Sequence, residues 1–197
     1  MNVEEAINFT ALEAFMRNDF KKELEKNRIA EVILLQVLSS IAENMVFEDV
    51  TNNPELFHYG DIKSTDKDGN VYYWDCKNDG VIHKTGRVFC ETHKYFFRDM
   101  KRSAGFMENG KYDYLCVVDR VDGRIYILDF SVLLRIHKNY KEVKSIQSDA
   151  YCYGTVIPLN ECRKQQALLY TIKYAKEGSA YFATDVICEQ KGETINF

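Results

Sequence analysis

Two runs of strand-forming residues separated by an Asp-Gly turn constrain this chain more than any other feature. Tyr59-Gly60-Asp61-Ile62-Lys63-Ser64-Thr65 precedes Asp66-Lys67-Asp68-Gly69-Asn70, and Val71-Tyr72-Tyr73-Trp74-Asp75-Cys76-Lys77 follows. β-Branched and aromatic residues on both sides of such a turn predict a hairpin. With Lys67-Asp68-Gly69 as a three-residue loop and Gly69 in the left-handed conformation, Asp66 opposes Asn70. Counting back, Asp61 then opposes Asp75. Side chains alternate along a strand, so both carboxylates lie on one face and Lys77 joins them two residues on. Two carboxylates held together repel unless a cation lies between them, and a hard cation such as Mg²⁺ takes oxygen ligands. The pattern therefore predicts a metal site at Asp61 and Asp75. Lys63 makes a second Asp-x-Lys with Asp61, nearer the turn, and competes with Lys77 for the same role; Lys77 is preferred. The alternative is a solvated hairpin face. Against it, Tyr59, Val71 and Tyr73 share the face with the carboxylates while Ile62, Trp74 and Cys76 occupy the other, as expected of a central strand covered on both sides.

The 197 residues, 46% hydrophobic and 28% charged, suffice for one α/β domain with a sizeable core, and no low-complexity run marks a linker. The acidic start Met-Asn-Val-Glu-Glu lacks a basic region and an apolar run, and no stretch reaches the apolar length of a membrane span, so a cytoplasmic protein is expected. Cysteines at 76, 90, 116, 152, 162 and 188 form no Cys-x-x-Cys pair, which favours buried free thiols over zinc or disulfides. The net charge of −4 does not announce a nucleic-acid binder. Phosphates feel charge within a Debye length of about 8–10 Å, however, and Lys/Arg concentrate over 84–102 and 135–144. A basic strip on an acidic body is expected.

Along the chain, residues 3–18 and Asp19 to Asn44 read as amphipathic helices, and Val46–Thr51 reads as a short strand. After the hairpin, the spacing of Lys94, Arg98 and Lys101 predicts one face of a helix over 89–104, either solvated or set against phosphates. Residues 112–119 and 124–130 read as a strand pair. Ser131 would cap a helix to about Lys138, residues 149–159 are extended, Asn160 would cap a helix ending near Gly178, and 180–188 form a last strand. Tyr151 and Tyr153 could meet bases, another subunit or the core. His58, His83 and His137 have no Cys or His at ligand spacing and read as structural. No phosphate-cradling glycine loop and no Gly-x-Ser-x-Gly elbow occurs.

Asp61, then Asp75-Cys76-Lys77 on the next strand, with a long helix before and a basic helix after, resembles the PD-(D/E)XK nuclease superfamily over roughly residues 20–130. The chain departs from that pattern by having Asp at 75, where Glu is frequent, and by lacking a Pro before Asp61. The resemblance implies a restriction-endonuclease-like α/β core, a central mixed sheet flanked by helices, and a Mg²⁺-dependent endonuclease acting on DNA, with Mn²⁺ able to substitute. By fold analogy it also implies a homodimer that cuts two strands. Asp61 and Asp75 would bind the ion, Lys77 would orient the attacking water, and Lys94, Arg98 and Lys101 would meet the nucleic acid. Glu31 sits in the apolar stripe of the first long helix, within about 60° of Leu34, Leu35, Leu38 and Ala42 at 100° per residue. A carboxylate there needs a partner. It resembles the helix Glu that completes the superfamily's metal site, and the other reading is a structural salt bridge; Glu43 is expected to be solvated. The rival to catalysis is a non-catalytic phage or mobile-element binding or inhibitor protein on the same scaffold.

Overall fold

The computed structural model describes residues 24–56, 58–147 and 149–190. The helix expected over 3–18 lies outside them. A helix (α1) occupies residues 24–41 and buries Ala30, Ile33, Leu34, Val37 and Leu38, the spacing of one helical face. That stripe lies on a seven-stranded sheet of order β1-β2-β3-β6-β7-β10-β11, made of Met45–Asp49, Ile62–Asp66, Val71–Asn78, Tyr114–Asp119, Arg124–Asp129, Leu168–Glu177 and Ala180–Cys188. Its pairings are antiparallel except β3 with β6, so the sheet is mixed. The helix also covers the β11 edge, where Gln36 Oε1 and Ser40 Oγ accept the backbone N–H groups of Tyr181 and Ala183 at 2.8 and 3.2 Å.

A second sheet, β5-β4-β9-β8, comprises Arg102–Ala104, Arg87–Phe96, Ala150–Pro158 and Glu142–Ile146. Its root and the short helices α2 (Ile82–Thr85), α3 (Phe106–Asn109), α4 (Phe130–Ile136) and α5 (Leu159–Lys164) lie over the other face of the large sheet. The core is thus double. Ile62, Trp74, Cys76, Cys116, Val118, Ile125 and Ile127 pack under α1, while Leu115, Val117, Tyr126, Leu128 and Phe130 pack with Val88, Cys90 and Ile157 of the second sheet. The chain is α/β with a mixed sheet flanked by helices. All six cysteines are free and five are buried. Among the described residues no helix is long and apolar enough to cross a membrane.

Three expectations are corrected. Residues 89–104 are not a helix but most of β4, a turn and β5. Phe89, Thr92, Tyr95, Phe96 and Phe97 crowd this stretch with β-branched and aromatic side chains, and pairing with β9 outweighs any helical preference. Asp129, not Ser131, caps α4 by accepting the Val132 N–H at 3.1 Å. The helix expected from Asn160 to Gly178 stops at Lys164, Gln166 takes a positive φ of 59°, and the alternating Leu168–Glu177 becomes β10.

Candidate metal centre

The hairpin has the register read from its turn. Ile62 faces Trp74 and Thr65 faces Val71; Asp61 immediately precedes β2, with its N–H on the Trp74 carbonyl, and stands close enough to Asp75 to feel its charge. Gly69 has φ +84°, and Asp66 Oδ1 accepts the N–H groups of Asp68 and Asn70 at 2.9 and 2.8 Å, closing the loop. Gly60, at φ +112°, brings the chain so close to β3 that a Cβ would stand 2.6 Å from the Trp74 carbonyl oxygen, so a larger residue would displace Asp61.

Asp61 is tethered on both sides. Its N–H donates to Trp74 O at 2.9 Å, its carbonyl accepts from Val50 N at 2.9 Å, and its Oδ2 accepts from Cys76 N at 2.8 Å. Asp75 is 8% exposed, and Lys77 Nζ lies 2.7 Å from its Oδ2. That contact is an ion pair without hydrogen-bond alignment: the same buried oxygen has no hydrogen-bond partner among the described residues. Burial, then the charge of Asp75, pushes Asp61 up to about 6, against the pull of Lys77. For Lys77 burial works downward, but Asp75 and Asp61 outweigh it and hold the ammonium above its ordinary range. With 40% of its side-chain surface accessible and Phe106 5.4 Å from its Nζ, Lys77 spans the site and its opening.

Tyr112 is a residue the sequence did not single out. Its hydroxyl is buried without a hydrogen-bond partner among the described residues, and burial followed by the Asp75 charge pushes it far above the ordinary phenol range. No motif marks it; it is simply the residue two before β6.

Glu31 approaches from the helix side of the sheet. Its Oε2 accepts from Arg28 at 2.8 Å, and Arg28 also bonds Asp49. The Thr51 hydroxyl stands 3.2 Å from Glu31 Oε2 and 3.3 Å from the Asp61 carbonyl oxygen, bridging the two. Burial, with the charge of Asp61, holds Glu31 above its usual value although Arg28 pulls it down. Glu31 is therefore in a salt bridge and in the field of Asp61 at once. Among the described residues no group of three or more His, Cys, Asp or Glu side chains is gathered closely enough to hold an ion. Glu43 is exposed, as expected.

Lys63 turns to Glu48, 3.1 Å away, whereas Lys77 meets Asp75. Lys94, Arg98 and Lys101 do not share a face. Lys94 projects from β4 with its Nζ 5.3 Å from the Phe96 ring centroid, and Arg98 and Lys101 lie in the β4–β5 turn. His83 is not isolated: its Nδ1 lies 3.0 Å from the fully buried Asp119, whose carboxylate also accepts the N–H groups of His83, Val121 and Asp122.

Asp61 and Asp75 offer two carboxylates of the kind a hard cation takes, Lys77 stands 2.7 Å from Asp75 Oδ2, and Tyr112 Oη is buried without a hydrogen-bond partner among the described residues. No family model matches the chain, and neither curated proteins nor solved structures match it significantly.

Proposed function

We propose that this protein is a Mg²⁺-dependent nuclease that hydrolyses phosphodiester bonds in DNA, with Mn²⁺ able to substitute. The observation that carries the reading is Asp61 in the field of Asp75, with the Lys77 ammonium 2.7 Å from the buried Asp75 Oδ2. Asp61 and Asp75 would hold the ion, and Glu31 would join them if Arg28 released it. Bound there, the ion would supply a water of lowered pKa and a Lewis acid for the phosphoryl oxygen. Lys77, charged and partly exposed, would donate to that water and to charge developing on the phosphate. Tyr112, protonated throughout the working range, would offer its buried O–H as a fixed donor. A restriction-endonuclease-like arrangement of the mixed sheet belongs to the same reading, as does a homodimer for cutting both strands.

Plasmid and linear duplex incubated with Mg²⁺, Mn²⁺ or Ca²⁺ test this directly. Cleavage with the first two that disappears in Asp75→Asn is the expected result, and full activity in that variant rejects it. A non-catalytic binding protein is the second reading, favoured by the 2.7 Å Asp75–Lys77 pair and by the engagement of Glu31 with Arg28, which together neutralise carboxylates without a metal. It requires nucleic-acid or protein binding unaltered in Asp75→Asn and no heat on titration with Mg²⁺ or Mn²⁺.

A further inference from the structure

The second sheet carries a face that neither core uses. His93 and Tyr95 of β4 pair with Tyr153 and Tyr151 of β9. Lys144 and Ile146 of β8 pair with the same two tyrosines, and Arg102 and Ala104 of β5 pair with Tyr95 and His93. Directly paired residues share a face, so these eight side chains line one side of the sheet. The His93 and Tyr153 rings stack with centroids 4.8 Å apart and planes 1° from parallel, Tyr95 meets both edge-on at 85°, and Lys144 Nζ lies 3.4 Å from the Tyr151 centroid. Tyr95, Tyr151 and Tyr153 belong to neither hydrophobic cluster, and Ile146 beside them is 71% exposed. A group of rings kept outside the core at half burial marks an interaction surface.

Charge says what the surface fits. Around the face, Arg98, Lys101, Lys138, Lys141 and Lys144 outnumber Asp99, Glu142 and Asp149, whereas the whole chain carries −4; Arg102 is paired with Glu108, and Lys94 lies on the other side of the sheet. Glu142, on the same side, accepts from Thr92 Oγ1 at 2.9 Å and lies 3.7 Å from His93 Nδ1, at the His93 end of the face. The face also runs into the candidate metal centre. Ala104 ends β5 and Gly105 N donates to Thr92 O at 2.7 Å; the next residue, Phe106, sets its ring against Lys77. Two residues of chain span at most about 7 Å, so the aromatic face and the lysine of the site are neighbours.

We propose that this face binds a single nucleic-acid strand, stacking unpaired bases on Tyr95, Tyr151 and Tyr153 and meeting phosphates with Lys144, and that it delivers the strand to the Asp61–Asp75 site. The inference rests on the nuclease reading for the delivery and on the sheet alone for the binding. Stacking needs an open base face, which a paired duplex does not present along its length, and every base has such a face, so the site is tolerant of sequence.

The test is fluorescence anisotropy of a labelled 15-nucleotide oligo-dT and of a duplex of that length, in EDTA so that cleavage cannot contribute. Tyr151→Leu and Tyr153→Leu keep apolar bulk but lose the ring, and each should weaken binding of the oligo-dT about tenfold, the scale of one lost stack, while leaving duplex affinity unchanged. Lys144→Gln, at an exposed position, should lower the slope of log affinity against log salt by about one unit; this arm decides the matter if a tyrosine variant fails to fold, which emission from the lone Trp74 reports. A parent that binds the oligo-dT through these rings but cleaves no DNA with Mg²⁺ or Mn²⁺ counts against the nuclease reading and not against the face. Four results overturn the proposal: no oligo-dT binding by the parent, unchanged affinity in the tyrosine variants, equal weakening for strand and duplex, or a change in sedimentation showing that a second copy of the chain covers the rings.

Discussion

Strand β3 presents two faces built on opposite terms. Trp74 and Asp75 are adjacent, 3% and 8% exposed, yet one is fully provided for and the other is not. On the α1 side, Trp74 Nε1 donates to the buried Ser64 Oγ at 2.8 Å, its ring packs 4.2 Å from Tyr114, and Ile62 and Cys76 continue the apolar layer. On the other side Tyr112 Oη is buried without a hydrogen-bond partner among the described residues, and Asp75, with Lys77 Nζ 2.7 Å from its Oδ2, shares that one ammonium with Asp61. Leaving a buried polar atom unsatisfied costs roughly 1–3 kcal/mol. The closed face contributes the stability against which the open one keeps its strained polar groups.

If the division is real, substitutions on the two faces should have separable effects. The largest is on the open face: Asp61→Asn or Asp75→Asn should abolish metal-dependent cleavage while the unfolding midpoint in urea stays level or rises, through relief of like-charge repulsion. A fall in stability as large as the loss of activity would erase the distinction. On the closed face, Trp74→Ala should cost about 3–5 kcal/mol in urea unfolding, the range for truncating a buried aromatic, yet leave the heat of Mn²⁺ binding at 10 °C near that of the parent. Lys77→Met should slow cleavage roughly a hundredfold, the scale of removing one electrostatic stabiliser, with Mg²⁺ affinity equal to or above that of the parent because the ammonium no longer competes for Asp75. Calorimetry beside a cleavage assay separates the two quantities.

Smaller effects sharpen the picture. Asp61 is raised from near 3.8 to about 6, so its folded form favours the proton. The stability linked to it is fully present below pH 3.8 and is lost as pH rises through about 6, on the order of 2–3 kcal/mol for the metal-free protein. Asp61→Asn should flatten that part of the curve, and an identical pH profile in parent and variant would show that Asp61 is not perturbed by its surroundings. Smallest is Glu31→Gln. It breaks a salt bridge to the half-exposed Arg28, which is worth about 1 kcal/mol or less, and should reduce cleavage far less than either Asp substitution. A loss equal to that of Asp75→Asn would make Glu31 a full member of the site.

The part of the molecule legible in the sequence is the part made by local chemistry. An Asp-Gly turn sets the register over a few residues, so the pairing of Ile62 with Trp74, beside Asp61 and Asp75, could be counted out in advance. The stripe of α1, the β6–β7 pair and β11 were read for the same reason: their periodicity is strong and short-ranged. The second sheet was not, because β4 pairs with β9 some sixty positions away and no local signal carries that partner. Lys94, Arg98 and Lys101 recur at helical spacing by coincidence; the same segment contains Thr92, Tyr95, Phe96 and Phe97, and the aromatic count was the better guide. Leu168–Glu177 alternates like a strand but was absorbed into a helix begun at Asn160, where the break at Gln166 leaves no mark as plain as a proline. The orphaned hydroxyl of Tyr112 could not be foreseen, since it is defined by partners it lacks.

Among the described strands, β3 and β6 form the one parallel pair, and residues 79–113 must be threaded between them. A hairpin such as β2–β3 closes in about 1–10 μs, whereas a pairing of that sequence separation waits on much slower chain diffusion and loop closure. If the hairpin closes first, Asp61 and Asp75 would come together in open water, and Leu115 and Tyr112 would be laid beside them afterwards. A cation captured at that early stage would be enclosed by the later strands, which makes the order of folding a route by which the centre could be loaded.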